Sequence, residues 1–132
     1  MTGDINIKRK GDYEFACWYW ETSRAWGHEV RLCKNGVEVG RSRVRYYNRT
    51  WECYTYQSTM YGAVEDYERR ERARYLERYK YNHELAGYDM EKHELFNKPF
   101  KRGQKAQALA EFAESDIAKD IKELNEFVKE GK

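Results

Sequence analysis

Three arginines at every second position, Arg41, Arg43 and Arg45, are the residues most able to bind a ligand. Successive side chains of a strand point to opposite faces, so all three would project from one face. Each guanidinium is a planar fork of donors that matches a carboxylate or a phosphate. The row therefore predicts a surface for anionic groups. The alternative is an ordinary solvent face of a sheet, with Glu29 or Glu38 on the neighbouring strand as partners.

Aromatic residues accompany the arginine row in the sequence. They could stack nucleic-acid bases, as in sheet proteins that bind single strands. They could equally form the core, because the chain has few aliphatic residues to build one. The aromatic residues are Tyr46, Tyr47, Trp51, Tyr54 and Tyr56. The nucleic-acid hypothesis assigns phosphates to Arg41, Arg43, Arg45 and Arg49, and base stacking to Tyr47 or Tyr54.

A second set of arginines falls on a predicted helix. Arg70, Arg74 and Arg78 are spaced by four, which places them in one stripe on the helix surface. Acidic residues such as Glu71 offset part of their mutual repulsion. The stripe is either a solvated helix face or a second basic patch, continuous with the arginine row, that docks a protein.

No arrangement of residues predicts catalysis. Asp89, Glu91, His93 and Glu94 are metal-capable, but their spacing fits neither a zinc motif nor a calcium loop. The three cysteines fall inside predicted strands, where buried thiols are unreactive. Paired carboxylates, a phosphate-binding glycine loop and a serine elbow are all absent from the sequence pattern. The sequence therefore predicts a protein without metal, cofactor or enzymatic activity.

An antiparallel sheet must position the arginine row. Asn35-Gly36 is typical of a type I′ turn, so residues 28–34 and 37–46 are predicted to form a hairpin. Alternation also predicts a strand over residues 13–20, and a loop is expected over 21–27. A short edge strand near Ile5 and a last strand over 51–56 complete a sheet of four or five strands.

Helices are predicted to follow the sheet. A long helix over residues 58–82 is expected to start at Ser58 or Thr59 as its cap and to carry an apolar stripe. Two short helices, over 104–113 and 116–130, end the chain. The stripes are Met60, Ala63, Val64 and Tyr67 in the first helix, Ala106, Leu109, Ala110 and Ala113 in the second, and Ile117, Ile121, Leu124 and Val128 in the third. The fold class is α+β.

The length of 132 residues fits a single domain. Its predicted parts are a sheet with the long helix over 1–84, a loop over 85–103 and a helical extension over 104–132 that packs on the same domain. Residues 1–56 carry ten Lys and Arg against seven Asp and Glu, so the sheet region is basic.

No apolar run approaches 18 residues and no signal peptide is evident, which predicts a cytoplasmic protein without a membrane partner. Pairing of the last stripe between chains leaves a homodimer as a further alternative.

The run VRYYNRTWECYTYQSTMYGAV, residues 44–64, resembles a segment of small uncharacterised proteins from bacteriophages and mobile elements of Gram-positive bacteria. These proteins commonly show YxNRTWExYxFQS followed by a helix. The matching residues are Tyr46, Asn48, Arg49, Thr50, Trp51, Glu52, Tyr54, Tyr56, Gln57 and Ser58, with Tyr56 where Phe is frequent. The likeness covers residues 27–64.

The resemblance implies a non-enzymatic accessory protein, since some phage proteins of this size block host defences and include anti-CRISPR proteins. Its expected partner is a host protein, in particular an enzyme that handles nucleic acid, docked through the stripe of Arg70, Arg74 and Arg78. The resemblance assigns no functional residue. The shared segment also has an architectural explanation, because Trp51 and Gln57 fall where a strand turns into a helix.

Overall fold

The computed structural model describes residues 5–46, 56–85 and 104–130, with backbone alone for 78–85 and 104. The elements are β1 (Asn6–Lys10), β2 (Tyr13–Glu21), β3 (Trp26–Lys34), β4 (Val37–Tyr46), α1 (Tyr56–Leu85), α2 (Gln104–Ala113) and α3 (Asp116–Glu130). A four-stranded antiparallel sheet followed by one long and two short helices confirms the predicted α+β class. The chain divides into two compact units, Met1–Glu68 with Asp120–Lys132, and Arg69–Lys119.

The four strands follow one another in the order β1-β2-β3-β4, each antiparallel to its neighbour. Asn35 and Gly36 have φ angles of 50° and 82°, the positive values that a type I′ turn requires. The predicted hairpin is thus confirmed. The predicted loop over 21–27 is too long, because β2 reaches Glu21 and β3 already begins at Trp26. Trp26 pairs with Tyr46, and their ring centroids lie 4.8 Å apart, which extends the ladder.

Helices cover one face of the sheet in the first unit. Phe15, Val30 and Leu32 are fully buried there. The predicted stripe of α1 is confirmed, since Met60, Ala63, Val64 and Tyr67 are all buried. The predicted stripe of α3 is buried at Ile121, Leu124 and Val128, whereas Ile117 is half-buried.

The start of α1 lies directly against β4. A Cβ atom at Gly40 would meet the carbonyl oxygen of Ala63 and would lie 3.0 Å from the backbone nitrogen of Tyr67. The carboxylate of Asp66 accepts a hydrogen bond from the backbone N–H of Arg41 at 2.9 Å. This buried acid therefore holds α1 against the strand that carries the arginine row.

Two expectations about the residues at the start of α1 are wrong. α1 begins at Tyr56, so Ser58 and Thr59 lie inside the helix and do not cap it. Tyr56 packs on His28 at 4.5 Å between ring centroids, an anchor that starts the helix earlier and removes Tyr56 from the predicted last strand. The rest of that strand, residues 51–55, lies outside the described residues.

None of the described helices is both long and apolar enough to cross a membrane.

The apolar side of α2 also differs from the prediction. Its buried residues are Ala108 and Phe112, whereas Leu109 is half-buried. The other three predicted positions are exposed, namely Ala106, Ala110 and Ala113. Phe112 makes an edge contact with Tyr75 at 5.6 Å within the second unit. Burial of one large ring outweighs that of several methyl groups, and this rotates the buried side of the helix.

A partly buried polar cluster ties α3 to the sheet. The hydroxyl of Tyr13 donates to Oδ2 of Asp120 at 2.7 Å and lies 2.9 Å from the hydroxyl of Tyr67. Nζ of Lys34 lies 3.8 Å from the same carboxylate oxygen. Burial, and then these two hydrogen bonds, raise the pKa of Tyr13 far above its ordinary value, so its hydroxyl remains a donor.

Tyr13→Phe is expected to lower the free energy of unfolding by about 1–2 kcal/mol, because it removes the shared hydroxyl and leaves the two partners in place. Urea unfolding at neutral pH measures this change. Tyr61→Phe is the control, since Tyr61 makes no hydrogen bond with a described residue. It should change the free energy by less than about 0.5 kcal/mol. Equal losses in the two variants would exclude a stabilising role for the cluster.

The buried thiol of Cys17 predicts a loss of stability in alkaline solution. Burial raises its pKa from 9.0 to about 11. Below pH 9.0 both the folded and the unfolded chain keep the proton, whereas between these values only the folded chain does. The free energy of unfolding should therefore fall, by on the order of 2 kcal/mol, as the pH rises through this window. Urea unfolding measured across the window should show a shallower fall in Cys17→Ala than in the wild type, and identical slopes would refute the assignment.

Candidate binding face of the sheet

The arginine row lies on the face of the sheet opposite the helices, termed here the outer face. Arg41, Arg43 and Arg45 are all exposed in β4, and the residues between them are half-buried. The side chain of Arg43 is 55% exposed. Because α1 contacts the other side of this strand at Gly40, the predicted alternation is confirmed. Across the sheet, Arg31 pairs with Arg41 and adds a fourth guanidinium to the outer face.

Two tryptophans of β2 support the guanidinium groups. Cζ of Arg43 lies 4.2 Å from the ring centroid of Trp20, and Cζ of Arg45 lies 5.5 Å from it. Arg31 lies over Trp18 at 5.2 Å. Such cation–π contacts contribute about 0.5–2 kcal/mol each, depending on exposure. Stacking on a ring restrains a guanidinium while the N–H groups at its rim remain available to a ligand.

Gly27 allows Trp20 to reach the arginines. It lies between them in the sheet, paired with Trp20 on β2 and with Arg45 on β4. A Cβ atom at Gly27 would lie 2.8 Å from Cζ2 and 2.9 Å from Cε2 of the Trp20 ring. The indole therefore crosses β3 at the one position where that strand has no side chain.

Two glutamates neutralise the outer face unevenly. Glu38 accepts from Nε of Arg41 at 3.0 Å and lies 3.7 Å from Arg31. The carboxylate of Glu29 stands between Arg31 and Arg43, at 3.9 and 4.0 Å. The predicted pairing with these two acids is thus present, but it is close for Arg41 and loose for Arg43. Arg45 has no carboxylate partner among the described residues.

Trp20 also has a buried donor that lacks an acceptor. Its residue surface is only 5% exposed. No described residue accepts a hydrogen bond from its indole Nε1. A buried polar group without a partner costs free energy, about 1–3 kcal/mol for a typical donor. The donor lies on the same ring that Arg45 contacts, so these two features occur together at one end of the row.

Of the five aromatic residues that could stack bases, the structure describes Tyr46 and Tyr56, and neither lies on this face. Tyr46 packs against Trp26 and His28 on the helix-covered side, with ring centroids 4.8 and 5.6 Å away. Tyr46 and Tyr56 are therefore half-buried packing residues of the helix-covered side. Tyr47, Arg49 and Tyr54 lie outside the described residues. The outer face instead carries Trp18 and Trp20 of β2, which contact the arginines.

The arginines of α1 belong to the second unit. Arg70 and Arg74 are exposed, whereas the side chain of Arg78 is outside the described part of the helix. Nη1 of Arg74 lies 3.0 Å from Oε1 of Glu71, which offsets its charge, and the Arg74 side chain is 73% exposed. This stripe remains a second candidate surface for a partner.

Groups suited to metal binding or nucleophilic chemistry contribute little to the described site. Over residues 5–46, 56–85 and 104–130, no group of three His, Cys, Asp or Glu side chains is placed to hold a metal ion. Asp89, Glu91, His93 and Glu94 lie outside these ranges. Cys33 borders the outer face, but burial, followed by the charges of Glu38 and Glu14, raises the pKa of its thiol. The protonated thiol is a poor nucleophile.

The donors of the outer face are chemically suited to oxyanions. Its exposed guanidinium groups donate to carboxylate or phosphate oxygens, and the tryptophan rings hold these donors in place. Neither a family model nor a curated protein nor a solved structure matches this chain.

Proposed function

We propose that this protein is a non-enzymatic accessory protein of phage type that binds a host protein and inhibits or modulates it. The expected partner is an enzyme that handles nucleic acid, the kind of target that an anti-CRISPR-type protein would have. The proposal is supported by the resemblance of residues 27–64 and by the outer face of the sheet. The arrangement of exposed arginines over tryptophans on that face is the observation on which it depends.

The charge pattern of the outer face favours an acidic protein surface as its ligand. Four arginines alternate with two glutamates, so the face presents positive groups separated by negative ones. Protein surfaces that match such a mixture gain specificity and association rate from electrostatic complementarity. A nucleic-acid backbone has only negative charges, and Glu29 and Glu38 would repel it.

A single-stranded nucleic acid is the second candidate, because an exposed arginine row is what phosphates would require. Against it, the tryptophan rings already carry guanidinium groups, which leaves their faces unavailable for base stacking. If nucleic acid is the ligand, affinity must fall steeply with salt, with a logarithmic slope near 0.7 per phosphate contacted. Titration with an oligothymidylate at several salt concentrations measures this slope.

Capture from a bacterial host lysate tests the proposed function. The intact protein should repeatedly retain one host protein whose contact surface is acidic. A variant with Arg43→Glu and Arg45→Glu should lose it, because the reversed charges repel that surface. Recovery of the same protein by both baits would refute binding through the outer face. Recovery of no protein in repeated trials would count against the accessory role.

A further inference from the structure

We infer that Arg45 and the indole N–H of Trp20 form a carboxylate-binding subsite. This inference rests on the proposed function and identifies the chemical group of the partner that binds there. The ligand is the side-chain carboxylate of an aspartate or glutamate in an extended acidic segment. One carboxylate oxygen accepts from the guanidinium of Arg45. Nε1 of Trp20 is buried in the unbound protein, so the other oxygen accepts from it only after Arg45 has moved off the ring. The partner's residue thus supplies the acceptor that no described residue provides.

The ion pairs of the arginine row indicate Arg45 as the position where a new carboxylate binds. Arg41 is already satisfied by Glu38 at 2.9 Å, and Arg43 shares Glu29 with Arg31. Arg45 alone of the three makes no described ion pair. A new carboxylate gains most where it meets a charge that is not yet neutralised, since it then displaces no existing partner.

The geometry brings the two donors together. Cε2 of Trp20, the atom bonded to Nε1, lies beside Gly27, and Gly27 is the register partner of Arg45. The indole edge therefore lies next to Arg45, where β3 has no side chain in the way. Cζ of Arg45 is farther from the ring centroid than that of Arg43, 5.5 against 4.2 Å. The Arg45 guanidinium can swing toward a carboxylate while Arg43 still covers the ring.

The spacing of the row defines the ligand further. Alternate residues of a strand repeat at about 6.7 Å, which is also the repeat of acidic side chains at alternate positions of an extended peptide. A segment with Glu at every second residue can therefore place one carboxylate on Arg45 and the next beside Arg43. Glu29 and Glu38 disfavour a continuous phosphate backbone at the same positions.

Nuclear magnetic resonance of the tryptophan indoles tests the subsite in the intact chain. The probe is a synthetic peptide of alternating Glu and Thr, and the control is the same peptide with Gln for Glu. Titration with the acidic peptide should move the Nε1–H resonance of Trp20 downfield, as a new hydrogen bond does. Trp20→Phe assigns that resonance, and if this variant does not fold, the substitutions at Arg45 and Arg41 carry the test.

Matched substitutions separate the subsite from the row as a whole. Arg45→Gln should weaken peptide binding about tenfold. Arg41→Gln should weaken it less than about threefold, because the guanidinium of Arg41 is already paired with Glu38. Equal losses, or peptide binding without a shift of the Trp20 resonance, would overturn the subsite and leave binding by the outer face intact.

The remaining outcomes are also decisive. A peptide that does not bind, or an oligothymidylate that moves the Trp20 resonance where the acidic peptide does not, would overturn the carboxylate assignment. The proposed function fails by a different result, which is recovery of no host protein by the wild type in repeated capture trials. The two failures are therefore distinguishable.

Discussion

Replacement of Phe15 by alanine should lower the free energy of unfolding by about 3–5 kcal/mol, the usual loss for a large ring removed from a packed core. Phe15 is fully buried on the helix-covered side of β2. Its ring stacks on Phe127 of α3, with centroids 5.9 Å apart and an angle of 18° between the planes. The substitution therefore removes an apolar contact between the C-terminal helix and the sheet and leaves a cavity between them.

Urea unfolding followed by circular dichroism measures this loss. Ile7→Ala is the control, since Ile7 is exposed in the edge strand β1 and should lose less than about 0.5 kcal/mol. In a double-mutant cycle, Phe15→Ala and Phe127→Ala should couple by about 0.5–3 kcal/mol because the two rings touch. A loss below about 1 kcal/mol for Phe15→Ala would contradict the core described here.

The largest expected effect on binding comes from reversing charge at the open end of the arginine row. The double substitution Arg43→Glu and Arg45→Glu should weaken binding of the captured host protein by about a hundredfold or more, which corresponds to roughly 2.7 kcal/mol. Close charge pairs in protein interfaces contribute energies of this size. Calorimetric titration at constant salt concentration measures the change in affinity.

Reversal of charge on α1 provides the matched comparison. Arg70→Glu with Arg74→Glu makes the same change in net charge on another exposed surface. If the outer face binds the partner, this pair should weaken binding less than about tenfold, mainly through long-range electrostatics. A greater loss from the helix pair than from the strand pair would place the partner on α1. The helix variant should unfold within about 1 kcal/mol of the wild type, since exposed charges contribute little to stability. The strand variant also loses two cation–π contacts with Trp20, about 0.5–2 kcal/mol each, so its folded state must be verified before the affinities are compared.

Local sequence patterns correctly predicted those elements whose residues give one dominant structural signal. Asn35-Gly36 fixes the hairpin because few other residue pairs tolerate two positive φ angles. The alternation of arginines in β4 determines a face because one side of that strand is buried against α1. The stripe of α3 is apolar at Ile121, Leu124 and Val128, and this periodicity is strong enough to predict their burial.

Contacts between distant residues account for what the sequence did not predict. The position of Trp20 beneath Arg43 depends on the registers of β2, β3 and β4 together and on the missing side chain at Gly27. Trp26 extends β3 because its ring contacts that of Tyr46 on the neighbouring strand. The polar residues around Trp26 in the sequence indicate a loop and do not predict this contact. Phe112 determines the buried side of α2 through its contact with Tyr75, a residue of α1 that is distant in the sequence.

The most direct test of the outer face is the location of the partner's footprint. Hydrogen exchange of the protein, alone and in complex with its captured host protein, reports which backbone amides the partner protects. Binding through the arginine row predicts slower exchange in β2 and β4, centred on residues 18–20 and 41–46. Protection confined to residues 69–77 of α1, with the sheet unchanged, would contradict the account.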